Sequence, residues 1–276
     1  MALTDEQRKA YRQDGYLRVE AVFSEAEIDS LRGLIYRLYR KFEPEDRSLD
    51  AIDVPWNDLA FDRAMIALRT RDPKTFGALY DCAQSAVELL RLVTDLRLVE
   101  IAADCLDDTP ATLSYSGIML RMDPPLDTRN SIDWHQDRSY YPQNWDGNNG
   151  LVATIAMQDI TAESGAILTC PGSQREGLVS PLIGEKSDYE TTEQRKVPDD
   201  VAARYQQRAA DARRGDVLLM NMNLVHRSGY NEQEHIRYTA LCRFHRIMAE
   251  DYVPFGLLYN FNDFMGARVT SAARDE

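Results

Sequence analysis

Asp133-Trp134-His135-Gln136-Asp137-Arg138-Ser139-Tyr140-Tyr141 is the stretch around which the chain is organised. Read as an extended strand running into a loop, it alternates its side chains between two faces. His135 and Asp137 then point one way and Gln136 the other. An imidazole and a carboxylate converge on one point. A third ligand from far along the chain completes a set of two histidines and one carboxylate. Such a set holds Fe(II) on one face and leaves the remaining positions open. The candidate is His226, within Asn223-Leu224-Val225-His226-Arg227-Ser228-Gly229. A His-x-Asp pair alone recurs by chance in surface loops, so its weight depends on the rest of the chain.

Downstream of this stretch the pattern is that of short strands. Leu151 to Met157 is a continuous apolar run, as expected of a strand buried on both faces. Ala166 to Cys170 is a shorter one, ended by Pro171-Gly172-Ser173. Asp216–Met222 and Arg237–Arg246 are two more. Residues 174–212 are charged and read as a long insertion between strands, with a helical piece over Asp199–Arg213.

Upstream the pattern is helical. Thr4-Asp5-Glu6-Gln7 and Ser24-Glu25-Ala26-Glu27 are capping boxes. The first predicts a short helix ending at Gly15, followed by a strand at Tyr16–Val19. The second opens a longer helix with Ile28, Leu31, Leu34, Ile35 and Leu38 on one buried face. Residues 43–60 read as a loop in which Trp56 is an apolar anchor. Helical periodicity returns over about 61–70 and again from Pro73 to Leu106. From Ala111 to Met122 the period shifts towards strand, with Gly117 inside, and Pro124-Pro125 stops it. Helices first and strands later predict an α+β chain whose β half is a closed sandwich or jelly roll. The 276 residues fit one domain: a mainly helical part to about residue 110, then a β core over 111–250.

Composition narrows the function. The formal net charge of −13 disfavours nucleic acid as a partner, because an acidic surface repels phosphate backbones. No apolar run is long enough for a membrane span. The polar, acidic N-terminus lacks the layout of a signal peptide. Four scattered cysteines without Cys-x-x-Cys argue against a disulfide framework and fit a cytoplasmic protein.

Several motifs together resemble the phytanoyl-CoA dioxygenase family of Fe(II)/2-oxoglutarate oxygenases. They run in order: Asp14-Gly15-Tyr16-Leu17; Phe23-Ser24-Glu25; Met119-Leu120 with Pro124-Pro125; Trp134-His135-Gln136-Asp137 with Tyr140; Ser164-Gly165-Ala166 with Pro171-Gly172-Ser173; Gly215-Asp216; His226-Arg227-Ser228-Gly229-Tyr230-Asn231; and Arg237-Tyr238. The resemblance implies a double-stranded β-helix, a cupin-like jelly roll with helices packed outside. It implies His135, Asp137 and His226 as iron ligands. Arg237 would bind the distal carboxylate of 2-oxoglutarate, as a guanidinium fork suits. Ser228 would add a hydroxyl to that carboxylate, and Met119 would line the cosubstrate site. The family often carries Trp where Thr154 stands and a Lys near Asp123. The retained Asp137 argues against halogenation.

The reaction implied is hydroxylation of a small molecule at a C–H bond by O2 and 2-oxoglutarate, with succinate and carbon dioxide released. The same site could desaturate, epoxidise or rearrange. A jelly-roll module holding zinc or manganese without redox chemistry is the competing reading. A lipid, sugar or natural-product intermediate are all open as substrate, and the oligomeric state is not legible. Arg138, Tyr140, Tyr141, Asn144 and Trp145 follow the metal stretch as candidate substrate contacts. Structural roles are expected for His245 and Arg121, and His235 is expected on the surface.

Overall fold

The computed structural model describes residues 2–126, 131–141, 143–144, 146–183 and 194–253. The helical half begins with α1 (Asp5–Asp14), closed by Gly15 in the left-handed region at φ +77°. A Cβ at Gly15 would stand 2.4 Å from Gln174 Oε1, so glycine is required there for conformation and for space. β1 (Tyr16–Val19) follows, then α2 (Glu25–Phe42). Both expected capping boxes form, each worth about 1 kcal/mol. Next come α3 (Leu59–Arg71), α4 (Pro73–Gln84), α5 (Val87–Val93) and α6 (Leu96–Leu106). The helical stretch expected from Pro73 to Leu106 is thus three helices, each with its own N-terminal start.

The β half opens with β2 (Leu113–Asp123) and β3 (Gly150–Ala156). The short strands β4 (Leu168–Thr169), β5 (Leu182–Ile183) and β6 (Arg195–Lys196) come next, then the one-turn helix α7 (Asp199–Ala202). The chain continues through β7 (Arg208–Ala209), β8 (Val217–Asn221), β9 (His226–Arg227) and β10 (Arg237–Arg246). The larger sheet has the order β1-β8-β3-β10-β2, antiparallel throughout. The smaller has the order β7-β4-β9, and a single bridge from His135 to His226 extends it. These two sheets are the faces of the jelly roll, and the fold is α+β as expected.

Alternation along the central strands decides what faces the site. Leu151, Ala153 and Ile155 of β3 join Tyr238, Ala240, Cys242 and Phe244 of β10 in one cluster with Ile28, Leu31, Ile35, Phe61 and Met65 of the helices. Burying each such large side chain contributes roughly 1.5–3 kcal/mol, so the helical layer clamps this face. The opposite parity, Thr154 on β3 and Arg237, Thr239 and Leu241 on β10, lines the interior of the roll.

The structure departs from two expectations in the late region. The helix expected over Asp199–Arg213 lasts only from Asp199 to Ala202. Arg208 and Ala209 pair instead with β4, and Ala212 bridges Ile160. Small apolar side chains at Ala209 and Ala212 pack against Ile160 and Ala166 inside the roll, and sheet pairing there outweighs local helix propensity. Residues 174–212 are therefore no simple insertion, since their last part is a strand of the smaller sheet. Among the described residues no helix is long and apolar enough to cross a membrane.

Candidate metal centre

The His135 stretch reaches the site by a shorter route than a regular strand. His135 and His226 exchange backbone hydrogen bonds, His135 N to His226 O at 2.9 Å and His226 N to His135 O at 3.0 Å. Gln136 is extended and points away, as alternation requires. Its carboxamide is fully buried, donating to the carbonyls of Gly177 and Asn223 and accepting from the N–H of Val179. At Asp137 the chain turns into a 3-10 helix, Asp137–Ser139, and the amides of Tyr140 and Tyr141 both donate to Asp137 O.

The side chains of His135, Asp137 and His226 are buried, and one ligand atom of each lies within 4.8 Å of the others. The tautomers are fixed by the backbone. His135 Nδ1 lies 2.7 Å from the carbonyl of Asp133, and His226 Nδ1 lies 2.9 Å from that of Leu224. A carbonyl only accepts, so each Nδ1 carries the proton and each Nε2 is a bare lone pair. Neutral imidazoles presented through Nε2 beside a carboxylate are the donor set that a divalent iron takes. The residues present fit the ion.

Electrostatics keep the His135 imidazole neutral and the Asp137 carboxyl ionised. Burial, helped by the neighbouring His226, pushes His135 down to about 3. Burial alone would raise Asp137, but the Arg243 guanidinium and then the two imidazoles outweigh it and hold the carboxyl at about 2. Arg243 is the neighbour that sequence reasoning did not single out. Its Nη2 donates to Asp137 Oδ1 at 3.0 Å, its Nη1 to Gly117 O at 3.0 Å, and its guanidinium lies 3.8 Å from the centre of the Tyr141 ring. A signal existed: Arg243 shares the parity of Arg237 on β10, so both point into the roll.

Gly117 makes room for this arrangement. It sits at φ +54°, where β2 bulges by one extra residue opposite β10 between Leu241 and Arg243. A Cβ at Gly117 would lie 2.8 Å from the Tyr141 ring and 2.9 Å from Arg243 Nη1.

Arg237 is buried in a narrow cavity with Arg121, Thr154, Thr239, Leu218 and Leu241. Its Nη2 and Nε donate to Asp123 Oδ2 at 2.6 and 3.2 Å, while its Nη1 has a longer contact of 3.4 Å to Gly229 O. Arg121 Nε is 3.1 Å from the same carboxylate oxygen. Two guanidinium groups on one carboxylate leave the cavity a net positive charge. Arg121 thus forms the expected salt bridge, and it also lines the cavity.

The other candidates are dispersed. Ser228 is buried and accepts from Ile132 N at 3.2 Å, tying the approach to His135 in place. Met119 is 37% exposed with its Sδ 3.9 Å from Arg243 Nη1, and it is not among the residues that line the Arg237 cavity. Arg138 is buried, with its amide donating to Met222 O. The Tyr140 ring stands 5.9 Å from that of His135. Trp145 lies outside the described residues. His245 has a structural partner, with Nε2 2.8 Å from Ser116 Oγ. His235 is half-buried rather than exposed, and burial together with the nearby Arg32 charge lowers its pKa.

Comparison with known proteins places this architecture. A family model described as phytanoyl-CoA dioxygenase (PhyH) matches residues 11–239. The peroxisomal phytanoyl-CoA dioxygenase of Mus musculus is 23% identical over 256 residues, 88% of this chain and 68% of that protein. The epimerase SnoN, solved with Fe3+, alpha ketoglutarate and nogalamycin RO, superposes with a TM-score of 0.60 at 19% identity, covering 92% of this chain and 88% of its own. EvdO2 from Micromonospora carbonacea var. aurantiaca, complexed with 2-oxoglutarate, gives 0.59 at 19% identity, covering 92% and 96%. EctD from S. alaskensis with bound Fe gives 0.57 at 20% identity, covering 92% and 81%. The solved structures share the fold, and the family model spans most of the sequence. The chain belongs to the phytanoyl-CoA dioxygenase family of Fe(II)- and 2-oxoglutarate-dependent oxygenases, and is itself a 2-oxoglutarate-dependent dioxygenase.

Proposed function

We propose that this dioxygenase hydroxylates a C–H bond of a small molecule, with His135, Asp137 and His226 as its iron ligands. The observation that carries the reading is the pair of backbone-locked imidazoles presenting Nε2 beside Asp137. Bound Fe(II) and 2-oxoglutarate supply the oxidising chemistry: one O2 is consumed per C–H converted to C–OH, and 2-oxoglutarate leaves as succinate and carbon dioxide.

The protein's own residues bind and orient. Arg237 takes the distal carboxylate of 2-oxoglutarate through Nη1, while Asp123 holds the rest of the fork in plane. Arg121 adds a second positive charge to the same cavity. Thr154 and Thr239 give it hydroxyls, and Leu218 and Leu241 keep water from its walls. Arg243 binds Asp137 Oδ1, which leaves Oδ2, 3.9 Å from His226 Nε2, as the oxygen offered to the metal. The bare, positively charged cavity and the carboxylate clamp have no use in a structural zinc module, which is why oxygenase chemistry is preferred here.

The test is an anaerobic titration of the apoprotein with Fe(II) and 2-oxoglutarate. A visible charge-transfer band is expected, and it disappears in His226→Ala. Absence of the band in the unaltered protein, together with no succinate formed under air, would refute the assignment.

A further inference from the structure

We infer that the substrate is an uncharged, flat ring system, about two or three fused rings in extent, and that it binds in a tyrosine-walled cavity beside the metal centre. The inference rests on the dioxygenase reading above. The cavity offers about 280 Å³ and is lined by Tyr115, Gly117, Tyr140, Tyr141, Gln143 and Tyr252. It shares no lining residue with the Arg237 cavity. Tyr140, one of its walls, faces the His135 ring at 5.9 Å. Tyr141, another, lies over Arg243, which holds Asp137.

Three observations define the occupant. Tyrosine faces bind flat rings by stacking and edge contacts, and four rings around one cavity suit a planar guest better than a flexible chain. Gln143 is 3% exposed, and its Oε1 has no hydrogen-bond partner. A buried carbonyl without a partner costs roughly 1–3 kcal/mol, and a guest's ring hydroxyl or amide N–H would satisfy this one once the carboxamide turns towards the cavity. Charge is unwelcome on either sign. Among the described residues no lysine or arginine lines the cavity, so a phosphate or a coenzyme A tail has no cation to meet. A cationic guest is disfavoured because the Arg243 guanidinium already lies 3.8 Å behind the Tyr141 ring. The net charge of −13 adds a further barrier to polyanions.

Calorimetric titration of the protein loaded anaerobically with Fe(II) and 2-oxoglutarate tests this. The probes are 7-hydroxyflavone, 2-naphthol and 2-anthrol on one side, and hexadecanoate and hexadecanoyl-CoA on the other. At least one ring compound is expected to bind one to one, and binding should weaken about tenfold or more in Gln143→Leu and in the surface variant Tyr115→Ala. Circular dichroism checks that both variants are folded. The idea is overturned by failure of all three rings to bind, by preference for either hexadecyl compound, or by ring binding indifferent to both substitutions. The charge-transfer band of the unaltered protein, recorded first, keeps the two readings apart. If the band is present and the rings fail, only the substrate class is lost, whereas an absent band removes the dioxygenase reading itself.

Discussion

Arg243 binds one oxygen of the Asp137 carboxylate, and its charge helps to keep that carboxylate ionised. Without the guanidinium, only the two imidazoles oppose burial at Asp137 and its pKa rises. Arg243→Met is therefore expected to bind Fe(II) about 10–100-fold more weakly and to shift the acid limb of metal binding to higher pH. Titration of Co(II) absorbance at several pH values checks both. An unchanged acid limb would mean that Arg243 acts only through packing. His135 adds a second pH effect. Its folded-state pKa of about 3 lies below its unfolded value, so the unfolded chain takes up the proton first on acidification. The stability it contributes is complete above about pH 6.5 and is lost as the pH falls towards 3. His245, pushed down to about 4 chiefly by burial, has the same sign. Urea midpoints for the metal-free protein should fall between pH 7 and pH 5. At this scale the triad was legible because histidine and carboxylate at alternate positions carry their chemistry on their face. Arg243 and Asp123 were not, because an arginine's role depends on which carboxylate it meets across a sheet.

Elements position these residues through parity and through one bulge. Gly117 in β2 admits Tyr141 and Arg243 where a Cβ would collide with both. Gly117→Ala is expected to destabilise the fold by more than 1 kcal/mol, roughly, and to loosen metal binding with it. Thermal melts with and without Co(II) would show the two losses together, and a neutral result would place the bulge outside the site. On the helical side, Asp62 of α3 accepts from the Tyr238 hydroxyl of β10 at 3.0 Å, next door to Arg237. Burial raises Asp62 to about 6 against the opposing charge of Arg32 and the Tyr238 bond. Here the sign reverses: the folded state holds the proton more tightly, so stability is lost as pH rises through 6. Relative to Asp62→Asn, the native protein should lose on the order of 3 kcal/mol between pH 4 and pH 8, measurable as diverging urea midpoints. Parallel midpoints across that range would contradict it. Most elements could be read from caps and periodicity, since α1, α2, β3, β8 and β10 are strongly patterned. The segment around Asp199 could not, because its strand pairing depends on a partner, Leu168–Thr169, that local sequence does not reveal.

At the scale of the molecule, the helical layer clamps one face of the larger sheet while the roll's interior keeps the site. A ligand that binds only the folded chain stabilises it by mass action. Fe(II) with 2-oxoglutarate at about a hundred times their dissociation constants should add roughly 3 kcal/mol, and a chelator should remove it; a melting temperature deaf to both would argue against a preformed centre. The order of helices before strands foretold the class of fold, and motif order foretold the jelly roll. The substrate cavity was hidden because Tyr115 and Tyr252 come from opposite ends of the β half and meet only when it closes. One feature governs when reactive chemistry becomes possible. His135 and His226 sit on the same rung of the smaller sheet, joined by reciprocal backbone bonds. With the proposed ligands, a nascent or partly unravelled chain owns no complete iron cage, and its amides at these two positions should lose their protection from deuterium exchange together. Oxidant production is thereby confined to finished molecules, which spares the growing polypeptide from damage by its own metal.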